Sequence, residues 1–380
     1  LVGLAVAACY QPLRFAGDAG KTADARLGDA AGPDAAPMPN CSKVLGLCVE
    51  DFGSAAAIML GGLVDTDTSP MCSTGAGVTV SGNGSAFDEY CVVIGPAVEL
   101  SGAVTFTGSH PVAVLTSAPF AITSMMDAST YGPDNTGPGV MPVISADPAC
   151  TIGSACPSGG GAGGGFGTAG GSGGCPLGQA ATAGTAVISL TGLRAGCAGG
   201  PGATSSADGS NHIANQGQQG GGILVLSTQQ IDVAAPVLAN GAGGGGGVAL
   251  NQSGGCGGGT GGMIVLETPN LRFDGSGEVC ALGGGGGGGA DSDSDGSAGA
   301  NAMNCVAGGG GSGAKGIGGT GGNAGAVGAS GGAGGSGSVA GEGTGGAGGG
   351  GNGIILLGNG ATETDAEVAP SPQPEQTFFP

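Results

Sequence analysis

The run Asp291-Ser292-Asp293-Ser294-Asp295-Gly296 sets carboxylates at its first, third and fifth positions and a glycine at its sixth. A calcium-binding loop opens in this way, with alternate oxygens converging on a hard cation and glycine permitting the sharp turn. Asp291, Asp293 and Asp295 are therefore the candidate metal ligands, for a weakly held calcium ion, and no other cofactor is expected. The pattern departs from a complete loop at its twelfth position, where Ala302 stands in place of a bidentate glutamate, and at its flanks, which are glycine instead of helix. A solvated acidic loop tip is the competing reading. Other chemistry is sparsely provided for. His110 and His212 have no second histidine or cysteine at ligand spacing, so an imidazole metal site is not expected. The glycine runs lack the Lys-Ser or Lys-Thr of a phosphate loop, since Lys315 is followed by Gly316. One enzymatic route remains, a β-helix polysaccharide lyase or hydrolase with Asp232, Arg272 and Asp274 lining a groove. The plainer expectation puts these three at solvent-facing strand positions, in a chain that is not an enzyme.

Composition restricts what could position such residues. The 380-residue chain carries 95 glycines and only 3% aromatics, which leaves little large apolar side chain per residue for a conventional core. Seven Lys and Arg against 27 Asp and Glu give a net charge of −20, so nucleic acid and anionic lipid headgroups are repelled. Charged residues are nevertheless only 9% of the chain, and order is compatible with that.

At the amino end, Leu1 to Ala8 is small and apolar, too short to span a bilayer, and closes on Val6-Ala7-Ala8-Cys9. These four positions resemble the lipobox of bacterial lipoproteins, which implies cleavage before Cys9 and a diacylglyceryl group on its sulfur. The alternative is a clipped ordinary signal peptide, no basic segment preceding Leu1. Segment 1–9 is thus read as the signal remnant and 10–40, rich in Ala, Asp, Gly and Pro, as a flexible tether. The expected location is the outer membrane or cell surface, held by lipid only. The 12 cysteines include no short C-x-x-C pair, which favours disulfides over zinc. With Cys9 acylated an odd number remains, and their connectivity stays open.

Residues 41–150 read as short β-strands: 78–80, 91–94, 97–100, 103–106, 112–115 and 120–123 are β-branched and bounded by Gly, Ser or Pro. A sandwich, a barrel or parallel β-helix coils fit, and uniform small inward positions favour the coils. In 151–360 a long repeat appears: Gly222–Leu226, Ile231–Val233 and Val237–Asn240 match Gly262–Leu266, Leu271–Phe273 and Val279–Leu282, with Ile223 aligned on Met263. Gly353–Leu357 and Ala186–Leu190 echo the first element. The predicted fold is all-β and solenoid-like, with right-handed parallel β-helix coils and glycine-rich excursions. Glycine recurs at every third residue from Gly310 to Gly337, the period of polyproline II. Packed polyglycine-II helices and flexible linkers both fit this period. The acidic, Pro-rich tail 361–380 is expected to be disordered.

The lipobox, the strand-plus-glycine repeat and the tracts between Gly159 and Gly360 together resemble glycine-rich bacterial surface lipoproteins of myxobacterial type, and the Gly-Gly-x tracts resemble glycine-rich domains of mycobacterial surface proteins. The resemblance is compositional and carries over no catalytic residue. It implies a non-catalytic structural or adhesive protein whose partner is polysaccharide or surface matrix. A passive envelope or coat component is the alternative.

Overall fold

A computed structural model describes residues 40–42, 44–54, 56–72, 78–82, 89–132, 137–139, 150, 158–175, 181–186, 192–203, 211–212, 217–249, 252–314, 319–325, 330–336, 344–358 and 367–369. Cys9, the 10–39 stretch and most of the acidic tail lie outside the described residues, as do residues 187–190 and Lys315.

The first strands are β1 (Cys41–Ser42), β2 (Leu47–Asp51), β3 (Ile58–Asp65), β4 (Thr79–Gly82), β5 (Cys91–Gly95) and β6 (Val98–Thr107). There follow β7 (Val112–Thr116), β8 (Phe120–Ile122), β9 (Met126–Asp127), β10 (Gly202–Ala203) and β11 (Asn211–His212). Next come β12 (Gly222–Ser227), β13 (Ile231–Val233), β14 (Val237–Leu238), β15 (Met263–Glu267), β16 (Leu271–Phe273) and β17 (Glu278–Cys280). The last are β18 (Ile354–Leu357) and β19 (Glu367–Ala369), the latter drawing three residues of the tail into a strand beside β17. Residues 97–100 and 103–106 are not two strands but the halves of β6, which pairs along β3 with a register shift between Leu60 and Gly62.

Three sheets are parallel, in the orders β18-β15-β12-β7-β5, β16-β13-β8 and β19-β17-β14-β9-β6-β3. Consecutive strands such as β12, β13 and β14 join different sheets. The five-stranded sheet is apolar on both faces, which is why its strands read as unbroken apolar runs. Val93, Val114, Val225, Ile264 and Ile355 face one core. Ile94, Leu115, Leu224, Val265 and Leu356 face a second, closed by Leu47, Val49 and Phe166. Each such side chain, fully buried, contributes roughly 1.5–3 kcal/mol. The repeat pairs Ile223 with Ile264, a shift of one residue from the alignment of Ile223 on Met263. A single-residue slip would exchange the two faces of the strand.

The expected right-handed β-helix solenoid is not what forms. The sheets are mixed: β1-β2-β4 and β10-β11 are antiparallel, and among the described residues the strands divide among five sheets and no barrel closes. The physical reason lies in the glycine tracts. They do not act as loops between coils but leave the sheets and hydrogen-bond to one another.

These tracts are extended rows. Row 239–248 leaves β14 and row 253–262 returns to β15; row 281–290 leaves β17, and row 344–353 leads into β18. Between the last two lie rows 295–302, 307–314, 319–325 and 330–336, successive rows running antiparallel. Row 281–290 is central. Its N–H groups turn to three neighbours in a three-residue cycle: Gly284 and Gly287 donate to Gly259 and Cys256, Gly285 and Gly288 to Ala300 and Ser297, and Gly286 and Gly289 to Gly322 and Gly319. Its carbonyls accept from three further rows, through Gly244 and Gly247, Gly308 and Gly311, and Ala347 and Gly350. Six neighbours thus enclose one chain that has the three-residue period of polyproline II.

Such packing leaves no space for side chains. A Cβ on any residue from Gly283 to Gly289 would stand 2.0–2.5 Å from a neighbouring carbonyl oxygen. Outer rows place a residue with a side chain where no row adjoins, as at Ser330, Ala333 and Ser336. Several of these cap a neighbour's N–H: Asn323 Oδ1 accepts from Gly310 at 2.8 Å, Ser297 Oγ from Ser312 at 2.6 Å and Asn301 Oδ1 from Gly243 at 2.9 Å.

Gly287→Ala is expected to lower stability by roughly 1–3 kcal/mol or more through overpacking. Gly309, where a methyl group would meet nothing within 4 Å, is expected to accept alanine with no loss or a gain of about 0.4–1 kcal/mol. Paired thermal melts of the two variants check this; equal effects would mean that the rows are not closely packed.

Candidate functional site

The acidic run is a turn between two glycine rows. Asp291 is buried, and its Oδ1 accepts from the N–H of Asp293 at 2.7 Å, the N–H of Ser294 at 2.6 Å and Ser294 Oγ at 3.0 Å. Asp291 N–H donates back to the Ser294 carbonyl at 3.0 Å. This is an Asx-type turn, for which Asp is well suited because its short side chain can reach the backbone two residues on. Asp295 points elsewhere, accepting from Ala249 N–H at 2.7 Å and fastening the neighbouring turn, while Asp293 is exposed. Among the described residues no three His, Cys, Asp or Glu side chains are grouped so that they could hold a metal ion. The three carboxylates proposed for calcium are therefore neighbours in sequence whose oxygens do not converge.

A second polar cluster was not foreseen from sequence. Asp67 Oδ1 accepts from Ser109 N–H at 2.8 Å, Ser109 Oγ at 2.7 Å and His110 Nδ1 at 2.8 Å. Parallel pairing of β3 with β6 ends at Asp65 and Thr107, which brings the two following turns together. Gly108, at φ 115°, makes the bend that a side chain would block against Thr66. Residues 42 and 43 apart meet here, and nothing in their local spacing marks it. Serine, histidine and aspartate are all present; Ser109 Oγ lies 3.4 Å from His110 Nδ1, but the shorter contacts of both groups go to the same Asp67 oxygen. Partial burial opposes ionisation of Asp67, yet hydrogen bonds from Ser109 and the charge and hydrogen bond of His110 outweigh it and hold the carboxyl below its ordinary value.

Other titratable groups serve the interior. Burial, with the Asp127 carboxylate beside it, pushes the Tyr131 phenol up to about 12, and its hydroxyl donates to Asp127 Oδ2 at 2.8 Å. Burial also lowers the Arg194 guanidinium, which lies 5.5 Å from the Phe166 ring centre. Asp232 and Arg272 are register partners on β13 and β16. Arg272 and Asp274 are exposed, and Asp232 accepts from Gln230 Nε2 at 2.6 and 2.7 Å.

Disulfides join Cys41 to Cys48, Cys72 to Cys91, Cys150 to Cys197 and Cys280 to Cys305. Cys175 is also disulfide-bonded, and Cys256 is a buried thiol. No helix among the described residues is long and apolar enough to cross a membrane.

The broadest regular feature is the outer layer of glycine rows. Rows 295–302, 307–314, 319–325 and 330–336 lie side by side. They expose Ser297 and Ala300, Ser312, Thr320 and Asn323, and Ser330, Ala333 and Ser336 in three-residue steps. Along a row that step is about 9 Å at polyproline-II rise. The layer offers small hydroxyl, methyl and amide groups on a hydrogen-bonded backbone. No protein-family model, curated protein or solved structure matches the chain.

Two outcomes are expected. Asp291→Ala strands the N–H groups of Asp293 and Ser294 and should cost roughly 1–3 kcal/mol, seen as a lower melting temperature that added calcium does not restore. Because the Asp67 pKa is lowered on folding, its contribution is present above the ordinary carboxylate range and lost as pH falls through the depressed value. Ser109 amide exchange, corrected for its intrinsic pH dependence, should lose protection in that acid window and not in Asp67→Ala. The half-exposed site limits the effect to about 1 kcal/mol or less.

Proposed function

We propose that this chain is a non-catalytic structural or adhesive protein of the cell surface, exported, lipid-anchored at Cys9 and in contact with polysaccharide or surface matrix. The observation that carries the reading is the outer layer of rows 307–314, 319–325 and 330–336, regular and without charge among the described exposed residues Ser312, Thr320, Asn323, Ser330, Ala333 and Ser336. Short side chains there lose little conformational freedom on contact, and a hydrogen-bonded backbone needs no ordering. The disulfides support an oxidising compartment. The net charge of −20 favours a neutral polymer over nucleic acid or anionic lipid.

Retention on immobilised neutral polysaccharides, measured against the double variant Ser312→Lys, Thr320→Lys, tests it. Both side chains are exposed, so the fold should survive; retention should fall about tenfold, equivalent to about 1.4 kcal/mol. Absence of retention on every polymer would favour the passive coat instead, and depolymerisation by the purified protein would refute a non-catalytic role.

A further inference from the structure

We draw no further inference here: the strongest candidate, the outer edge of the six-stranded sheet at β3, where Met59 and Leu63 are exposed, is an apolar sheet edge and nothing in the structure shows what covers it.

Discussion

Glycine has no side chain to bury, so a body made largely of glycine has to be held by its own main chain. Ordering a residue costs about 1–2 kcal/mol, and glycine most of all, whereas one backbone hydrogen bond returns a net of about 0.5–1.5 kcal/mol. Rows of this kind are marginal by themselves, and the sheets supply what is missing. The β14–β17 ladder pairs Leu238 with Cys280, then passes without a break into row bonds from Gly241 to Leu282, Gly244 to Gly285 and Gly247 to Gly288. At Gly241 the step changes from the two residues of a strand to three. The apolar sheets thereby set the register of rows that could not set it for themselves, and the Cys280–Cys305 disulfide ties the end of β17 to the bend beyond row 295–302.

From that constraint the pattern of glycine and non-glycine follows. In a six-neighbour position every residue faces another row, and the only stretch of seven consecutive glycines, 283–289, occupies it. In a peripheral row one residue in three faces outward, and there the sequence admits Ser, Ala, Thr or Asn. Polar choices at these places are explained by the N–H groups they cap, because a row without a neighbour exposes donors that water or a side chain must satisfy. Rows 253–262 and 344–353 are likewise bonded on all sides yet hold the buried side chains of Cys256, Thr260, Ala347 and Asn352, so an enclosed row tolerates single side chains where the sequence supplies fewer glycines.

Much of this could be read in the sequence. The three-residue step from Gly310 to Gly337 had the right period, and the apolar runs at 222–226 and 262–266 announced strands, though linkers were an equal reading of the tracts. Register was beyond reach because Ile223 to Leu226 and Met263 to Leu266 are apolar at every position, both faces of their sheet being buried; alternation, the usual guide, is absent. The solenoid expectation failed for a related reason. Strand repeats suggested stacked coils, but repeat length says nothing about where the residues between the strands go, and here they build rows of their own. Asp291, Asp293 and Asp295 were visible as an alternating acidic run; that the first would spend its oxygens on its own turn depends on its burial between rows, which no spacing encodes. Asp67 and His110 meet only because β3 and β6 pair in parallel.

The same economy separates charge from surface. Carboxylates at Asp67, Asp291 and Asp295 lie in turns and are engaged by backbone N–H groups, while the described residues of rows 307–314, 319–325 and 330–336 carry none. A turn at the end of a row has unsatisfied donors and welcomes an acceptor, whereas a residue along the flank of a row faces solvent beside neighbours that bond to one another. The long neutral face and the acidic turns are thus two results of one packing rule. A partner meeting the flanks encounters neither the net charge of the chain nor the cost of ordering long side chains. Because each contact there is small, only a partner that repeats as the rows do could accumulate enough of them to bind.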